Sequence, residues 1–387
     1  MMIADQLLQR LALEPARCFQ PAQAKVPGKL FLVGEYAVLE PEQPAILFAV
    51  DQYLTCHIQL SLQVGKGKLS SNSNEMSDWH YQRTELKSEH AQKWRYVVAA
   101  IEVVEQFLGE IARPTQDYYI HIESELVDAS GNKYGFGSSG AVVVATIRAL
   151  LDFYGLLPRD ALLIYQLAAI AMMRLGANGS MADLAANTYG GWLYYQAPDR
   201  QWLKAKVTEL SITELLLMEW RHLVIESLRF PEQMQVLVGW TGQPASTENM
   251  VEKLEKQNRQ QASYQNFLVQ AKQVVTQVRQ TFEKQDMLAM QAAVADYRHL
   301  LLKLGQSYQL NIETKELTTL VTIAQSYQYE AKSSGAGGGD CGIAIGQKGQ
   351  NALALAQAWK QQGIQLLEVA VAPRWEMEHE TIANGTA

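Results

Sequence analysis

The sequence is poor in cysteine, has no excess of positive charge and contains no long apolar run. Cys18, Cys56 and Cys341 are too few and too scattered for a disulfide framework or a zinc site, and the seven histidines show no metal-ligand spacing. A net charge of −7 argues against nucleic acid as a partner, because a phosphate backbone requires a basic face. The absence of any run of about 18 apolar residues excludes a membrane-spanning helix.

The N-terminus lacks the basic start and continuous apolar centre of a signal peptide. Leucines and charged residues alternate there, and we expect the first twenty residues to form a short amphipathic helix. Together with the scarcity of cysteine, this predicts a cytoplasmic protein. With 387 residues, 48% of them hydrophobic, the chain can bury a large core, and about two domains are expected.

Glycine is concentrated near the C-terminus, where five of the eight residues from Gly335 to Gly342 are glycine. Glycine adds nothing to a core, but it permits positive φ angles and allows successive N–H groups to converge on an anion. The apolar alternation from Cys341 to Ile345 predicts a strand that begins where the loop ends. A flexible linker is the alternative, although a linker would be longer and polar on both sides. The segment therefore predicts an anion-binding loop.

A second glycine loop, 133–140, runs directly into the apolar, helix-length stretch 141–154. A helix that begins at these glycines would direct unpaired N–H groups and the positive end of its dipole at a phosphate. Ser138 and Ser139 could cap this helix, the common role of such serines, or hold a metal through a hydroxyl. No lysine follows the serines, so the loop is not a Walker A motif, and it does not match the dinucleotide fingerprint.

A third segment, 26–39, predicts a strand, a glycine turn and a return. Lys29 lies at the start of the apolar run, where alternation could point its side chain off the sheet toward a cavity. Glu35 follows Gly34 at the turn. A lysine at the start of a strand is usually exposed to solvent and has no further role. Only the presence of the two glycine loops favours a functional role for Lys29.

The three motifs, in this order and at these distances, resemble those of the GHMP kinase superfamily. The resemblance covers most of the chain, and three ordered matches are far more specific than one. It implies an α+β, two-lobed fold, with an N-terminal lobe like domain 2 of ribosomal protein S5 over residues 1–205. A ferredoxin-like, helix-rich C-terminal lobe would cover residues 206–387. It also implies an ATP-dependent phosphotransferase that uses ATP and Mg²⁺.

The resemblance also bears on the acceptor. The segment that begins at Lys332 is similar to that of the bacterial phosphomevalonate kinases, and Tyr36 stands where mevalonate kinases usually carry histidine. We therefore expect 5-phosphomevalonate as the small anionic substrate, in the mevalonate route to isoprenoids. Another small-molecule kinase of the superfamily, such as mevalonate kinase, and a non-catalytic sensor of the same fold are the alternatives. The sequence does not indicate an oligomeric state.

Functional residues follow from the motif matches. Lys29 and Asp183 would be catalytic, and Ser139 would help to hold Mg²⁺. The residues expected to bind ATP are Lys133, Gly135, Gly137, Ser138, Ser139 and Gly140. Those expected to bind the acceptor are Tyr36, Ser180, Ser334, Gly335, Ala336, Gly337 and Gly338. Basic residues that could attract a small anion are Lys25, Lys29, Lys93, Arg95, Lys133, Arg148, Arg174 and Lys332.

The assignment of Asp183 has a structural alternative. Ser180 and Asp183 are three residues apart, ahead of a helix that Gly190 and Gly191 would end, and this spacing is close to a capping box. The resemblance instead places the catalytic aspartate at Asp183, and a residue in a first helical turn can point into a cleft. Both interpretations stay open at this stage.

Elsewhere, alternating apolar residues predict strands early in the chain, as at 54–60 and 118–123. Residues 65–92 are expected to form a solvated hairpin or loop. Amphipathic patterns predict helices over 248–304 and 314–329, the first capped near Ser246 or Thr247. The end of the chain, 376–387, is expected to be frayed.

Overall fold

The computed structural model describes residue 7 and residues 10–73, 76–128, 130–245, 247–256, 261–349 and 351–375. In chain order the strands are β1 (Leu11–Leu13), β2 (Ala22–Val33), β3 (Pro44–Leu60), β4 (Lys66–Ser71), β5 (Trp79–Gln82), β6 (Tyr118–Ser124), β7 (Leu156–Pro158), β8 (Trp192–Gln196), β9 (Val224–Leu228), β10 (Met234–Trp240), β11 (Glu330–Ser333), β12 (Cys341–Gln347) and β13 (Gln365–Leu367). The α-helices are α1 (Arg95–Glu110), α2 (Ser138–Phe153), α3 (Ala161–Arg174), α4 (Ala182–Tyr189), α5 (Arg200–Glu209), α6 (Ile212–Leu217), α7 (Thr247–Glu255), α8 (Ala262–Lys284), α9 (Met287–Tyr308), α10 (Lys315–Ser326) and α11 (Ala352–Gln361).

The first sheet is organised around the long strand β3. Strand β2 pairs antiparallel with one edge of β3 along most of its length, while β8 and β6 pair with the two ends of the other edge. Strands β4 and β5 extend the sheet beyond β6, and β9 extends it beyond β8. Helices α2 and α4 pack on β2 and β3, and α1 and α3 pack against α2. Helix α2 is apolar on nearly all sides, which fits its enclosure by these elements. The sequence predicted this apolar helix directly after the second glycine loop.

The second sheet has four antiparallel strands in the order β11-β12-β10-β13. Numbered along the chain from β10, this order reads 2-3-1-4, which is the arrangement of a ferredoxin-like βαββαβ unit. An apolar core that includes Leu320, Leu355 and Trp359 lies between this sheet and helices α10 and α11. Helix α9 packs on β11 and β12 and against α8. The predicted ferredoxin-like, helix-rich second lobe is therefore confirmed.

The two sheets indicate where the lobes divide. Strand β9 pairs with β8, so the first sheet continues to Leu228, and the second sheet begins at Met234. Helix α5 runs across residue 205, where the sequence had suggested the boundary. We propose a division at residues 229–233 instead. After β13 the chain returns to the first lobe, where the Ala372 N–H donates to Ala49 O at 3.0 Å.

The N-terminal segment differs from its prediction. Leu11–Leu13 pairs antiparallel with β7, so the expectation of one helix through residue 20 is wrong from Leu11 onward. Arg10 forms an ion pair with Asp160 at 2.7 Å, which fixes the start of this strand beside helix α3. Partners far away in the sequence thus decide the conformation of a segment whose local pattern suggested a helix. Residues 1–6, 8 and 9 lie outside the described residues.

Most of the other local predictions are confirmed. Strands β4 and β5 form the predicted hairpin, but it is not solvated, because β4 also pairs with β6 and both Leu69 and Tyr81 are buried. Three helices (α7, α8 and α9) lie in the helical region after residue 247, and α10 lies within 314–329. Ser246, the side chain of Thr247 and residues 376–387 lie outside the described residues. In the described chain, no helix is both long and apolar enough to cross a membrane.

Candidate active site

The three glycine motifs meet at one cavity of about 670 Å³ between the lobes. Of the residues selected from the sequence, those that line it are Lys29, Tyr36, Lys133, Gly135, Gly137, Ser138, Ser139, Ser180, Asp183, Gly335 and Ala336. Arg95 also lines the cavity. Because these residues come from distant parts of the chain, their convergence supports a shared binding site.

Helix α2 begins at the cavity. Gly137, with φ of +77°, occupies the cap position, and Ser138 and Ser139 are the first two helical residues. A glycine cap has no side chain, so the interpretation of these serines as helix caps is wrong. The N-terminal N–H groups of a helix have no intrahelical partner, and a phosphate can satisfy them.

The glycine loop before α2 is in close contact with charged side chains. A β-carbon at position 135 would lie 2.5 Å from Asp340 Oδ2, and one at position 137 would lie 3.0 Å from Lys29 Cε. Both glycines have positive φ angles, which other residues rarely adopt. Glycine is therefore required here for space as well as for conformation.

Lys29 is fixed to this loop by two hydrogen bonds. Its backbone N–H donates to Phe136 O at 2.9 Å, and its ammonium donates to Gly135 O at 3.2 Å. Only 9% of the residue is exposed. Burial lowers the pKa of Lys29, while the negative charges of Asp183 and Asp340 oppose this shift. The ammonium thus lies in a largely desolvated site, between the carboxylates of Asp183 and Asp340 and the glycine loop that precedes helix α2.

Asp183 lies in the first turn of helix α4 and does not belong to a capping box. Met181, in a left-handed conformation with φ of 62°, takes the cap position, and Ser180 Oγ instead accepts a weak hydrogen bond from Ala182 N–H at 3.4 Å. Burial raises the pKa of Asp183, and the nearby charge of Lys29 opposes that rise. The capping interpretation of Ser180 and Asp183 is therefore wrong.

Asp340 is a site residue that the sequence reasoning did not select. It lies beside Gly135, lines the cavity and accepts a hydrogen bond from the Ala245 N–H at 2.9 Å. Burial raises the pKa of Asp340, with Lys29 and Lys133 opposing that shift. Its position directly after the Gly-Gly-Gly run was the feature of the sequence that could have identified it as a site residue.

The residues of the third motif fall into two groups. Gly335 and Ala336 line the cavity. Ser334 lies behind it, where its hydroxyl accepts from Phe31 N–H and donates to Phe31 O, both at 2.9 Å. The Gly338 N–H donates to Ile312 O, and a β-carbon at Gly337 would lie 2.1 Å from that same oxygen. Ser334, Gly337 and Gly338 therefore make contacts within the protein and lie outside the cavity lining, whereas Gly335 and Ala336 face the cavity.

Lys332 was a candidate for attracting a substrate anion, and the structure corrects this expectation. It is fully buried, and its ammonium donates to Glu35 Oε1. Lys332 therefore balances a charge inside the protein. The cavity's own cations are Lys29, Lys133 and Arg95, and Arg95 donates to Tyr96 OH at 2.9 Å. These cations share the cavity with the carboxylates of Glu35, Asp183, Glu252 and Asp340, so they would attract the anionic groups of a ligand locally.

Among the described residues, no three His, Cys, Asp or Glu side chains are placed to hold an ion together. Mg²⁺ rarely needs such a cage, since it is commonly held by one or two carboxylates together with substrate phosphates. The Asp183 carboxylate lies beside Gly140, the residue after Ser139, so one carboxylate and one hydroxyl are close to the helix N-terminus. This donor set fits Mg²⁺ bound to a nucleotide.

Comparison with known proteins gives consistent matches. Residues 95–191 match the model of the GHMP kinases N terminal domain, and residues 278–365 match that of the GHMP kinases C terminal domain. The phosphomevalonate kinase of Streptomyces sp. (strain CL190) is 35% identical over 353 residues, which cover 87% of this chain and 94% of that protein. A mevalonate kinase of Thermococcus sibiricus is 25% identical over 86% of this chain and 91% of its own length. The solved structure of Streptococcus pneumoniae phosphomevalonate kinase in complex with phosphomevalonate and AMPPNP superimposes with a TM-score of 0.80 at 30% identity, covering 90% of this chain and 99% of that one.

Proposed function

Because the chain belongs to the GHMP kinase family, we propose that it transfers the γ-phosphoryl group of ATP to the phosphate of 5-phosphomevalonate. The bond between the γ-phosphorus and the bridging oxygen breaks, and a new bond forms to a phosphate oxygen of the acceptor. The products are ADP and 5-diphosphomevalonate. The 35% identity to a phosphomevalonate kinase over 87% of the chain is the observation that carries this choice of acceptor.

The N-terminus of helix α2 is the proposed site for the ATP phosphates. The backbone from Gly135 to Gly140 would cradle them, with unpaired N–H groups and the helix dipole directed at their charge. Lys133 lines the same cavity and would add a positive charge. The close contact of Gly135 with Asp340 holds the loop in place without filling that space.

Lys29 is the proposed group for stabilising the transferring phosphoryl. Its ammonium is held by Gly135 O, so that its position relative to the helix N-terminus is fixed before ATP binds. Phosphoryl transfer depends mainly on positioning and on charge stabilisation, and a buried cation acts more strongly than one in water. A bound phosphate would also counteract the depressed pKa of Lys29 and keep the ammonium charged.

Asp183 is proposed to position Lys29 and to keep its ammonium protonated. A phosphomonoester has a second pKa near ~6 and is mostly dianionic at pH 7, so the acceptor needs no base to remove a proton. A hydroxyl acceptor such as mevalonate would need one. The negative charge of Asp183 opposes the loss of the proton from Lys29, which is a role compatible with a phosphate acceptor.

Ser139 and Asp183 would also hold Mg²⁺. The ion would neutralise charge on the β- and γ-phosphates of ATP. The Ser139 hydroxyl lines the cavity in the first turn of α2, and Asp183 lies across from it on α4. The two helices thus each contribute one oxygen donor.

Other residues of the cavity would bind the acceptor. Tyr36, Ser180, Gly335 and Ala336 line the cavity, and Arg95 offers a positive charge for an anionic group. We retain these residues as the acceptor site and leave out Ser334, Gly337 and Gly338, which are not among the lining residues.

The test is turnover of ATP with 5-phosphomevalonate and with mevalonate, followed by phosphorus NMR of the phosphorylated acceptor after its separation from the nucleotides. A diphosphate product gives two coupled phosphorus signals, whereas phosphorylated mevalonate gives one. We expect turnover with 5-phosphomevalonate and the coupled pair. Preparations of the Lys29→Met variant, purified in parallel, reveal any contaminating kinase. A preference of the wild-type protein for mevalonate would overturn the proposed acceptor.

A further inference from the structure

A buried ion pair joins the two lobes at the cavity, which Glu35 helps to line. Glu35 follows strand β2 in the first lobe, and Lys332 lies in β11 of the second; 2% and 0% of the two residues are exposed. Withdrawing both charges from water is costly, and apolar residues often replace such pairs without loss of stability. Stability alone is therefore a weak explanation for this pair, and its contacts suggest another.

The carboxylate of Glu35 also holds the backbone of the third motif. Its Oε1, which accepts from Lys332, accepts a second hydrogen bond from the Gly335 N–H at 3.3 Å, while its Oε2 is buried and has no hydrogen-bond partner among the described residues. A β-carbon at position 335 would lie 4.0 Å from Lys29 Nζ. The pair thus sets the position of the cavity backbone that lies next to the Lys29 ammonium.

The residue after Glu35 is strained. Tyr36 has φ of 62° and ψ of −49°, and the Ala37 N–H donates to Glu35 O at 2.7 Å across it. Such a tight three-residue turn is rare and strained, and it persists only where the surroundings fix it. The strain directs the Tyr36 side chain toward the third motif, where its hydroxyl donates to Ala336 O.

The second lobe supplies the restraints on this turn. Tyr297, on helix α9, donates its hydroxyl to Glu35 O at 2.8 Å, and the ammonium of Lys332 lies 5.8 Å from the centre of the Tyr297 ring. The strained turn is therefore held from the second lobe at the Glu35 carbonyl, at the Glu35 carboxylate and at the Tyr36 hydroxyl. None of these restraints involves the glycine loop before α2.

We propose that Glu35, Lys332 and Tyr297 are positioning residues for the acceptor, a proposal that rests on the function proposed above. They set the Gly335–Ala336 backbone and the ring of Tyr36 and leave the ATP phosphate loop unaffected. Their loss therefore weakens use of the acceptor and spares use of ATP. A purely structural pair would lower stability and affect both substrates alike, or neither.

The experiment measures the two KM values and the melting temperature for Lys332→Met and Tyr297→Phe. We expect the acceptor KM to rise at least about tenfold in Lys332→Met, the scale of losing a hydrogen bond to a charged group. A smaller rise is expected in Tyr297→Phe, which removes one oxygen atom. The ATP KM should stay within about twofold of the wild-type value in both variants, far below that tenfold change.

Arg10→Met is the matched control, because it removes a part-buried ion pair with Asp160 that lies away from the cavity. It should lower the melting temperature and leave both KM values unchanged. Lys332→Met leaves Glu35 without a counter-charge; if it does not fold, the double variant Glu35→Met/Lys332→Met removes both charges and is measured in its place. An unchanged acceptor KM, or equal rises in both KM values, would refute the positioning role.

The positioning role and the proposed function can each fail without the other. Wild-type turnover is measured first, with 5-phosphomevalonate and with mevalonate. If mevalonate is the preferred acceptor, the proposed function fails, and the KM comparison is then made with mevalonate. A selective rise in the acceptor KM still supports the positioning role in that case, and its absence still refutes it.

Discussion

The carboxylate of Asp183 lies against the backbone of Gly140, in the first turn of helix α2. A β-carbon at position 140 would come within 2.5 Å of Asp183 Oδ2 and within 2.9 Å of Asn187 Oδ1. Glycine at this position therefore makes room for a side chain from another helix. The contact places Asp183, which is proposed to raise the pKa of Lys29, against the helix that would hold the ATP phosphates.

Gly140→Ala should lower kcat at least about tenfold, a loss of ~1.4 kcal/mol in transition-state stabilisation. The added methyl group would displace the Asp183 carboxylate from its place beside Ser139 and Lys29. The measurement is steady-state kinetics at saturating Mg·ATP together with a melting curve. Because alanine favours a helix over glycine by ~1 kcal/mol, little of the effect should appear as lost stability.

Gly109→Ala is the control for that substitution. Gly109 also lies within a helix, α1, and apart from its own helix backbone and chain neighbours a β-carbon there would have no described atom within 4 Å. It should raise the melting temperature and leave kcat unchanged. Wild-type kcat in Gly140→Ala would show that the position of the Asp183 carboxylate is unimportant.

Features with a local signature were predictable from the sequence. The start of α2 at the second glycine loop and the start of β12 at Cys341 follow from glycine runs that change directly into apolar patterns. The capping-box spacing of Ser180 and Asp183 was misleading, because the left-handed conformation of Met181 excludes Ser180 from the cap. No local pattern indicates that conformation.

Features made by distant residues were not predictable. Lys332 and Glu35 are 297 positions apart, and a lysine in an isolated strand is expected to be solvated. Only the packing of the second lobe on the first removes it from water. The same holds for Leu11–Leu13, whose partner strand β7 begins at Leu156.

Lys29→Met should abolish turnover while the fold is retained. Burial lowers the pKa of Lys29, so methionine removes a charge that opposes folding; losing the ammonium beside Asp183 and Asp340 offsets this gain, and the net change in stability should be small. The measurement is kcat with 5-phosphomevalonate, compared with Lys25→Met. Lys25 lies on the same strand, over the ring of Tyr53, and its substitution should leave kcat unchanged. Retention of more than about a tenth of wild-type kcat by Lys29→Met, a loss below ~1.4 kcal/mol, would contradict the proposed role.

Asp183→Asn should slow the reaction with 5-phosphomevalonate by less than Lys29→Met does, because the acceptor needs no base. It should also change the pH dependence. The charge of Asp183 raises the pKa of Lys29, against the lowering by burial. Without that charge the pKa falls further, the ammonium is lost at lower pH, and the basic limb of the kcat/KM profile shifts to lower pH. An unshifted basic limb would show that Asp183 does not influence the pKa of Lys29. A loss of kcat as large as that in Lys29→Met would favour a role of Asp183 as general base.

Ser139→Ala should raise the KM for Mg·ATP and lower kcat with little change in the melting temperature. The cap of α2 is Gly137, so the Ser139 hydroxyl is not needed to begin the helix. Ser211→Ala is the contrasting control, because Ser211 caps α6 in a capping box with Glu214. Losing that cap should cost about 1 kcal/mol of stability and leave the kinetics intact. If Ser139→Ala behaves like Ser211→Ala, with a lower melting temperature and wild-type kinetics, its hydroxyl supports the helix and does not serve the nucleotide or its Mg²⁺.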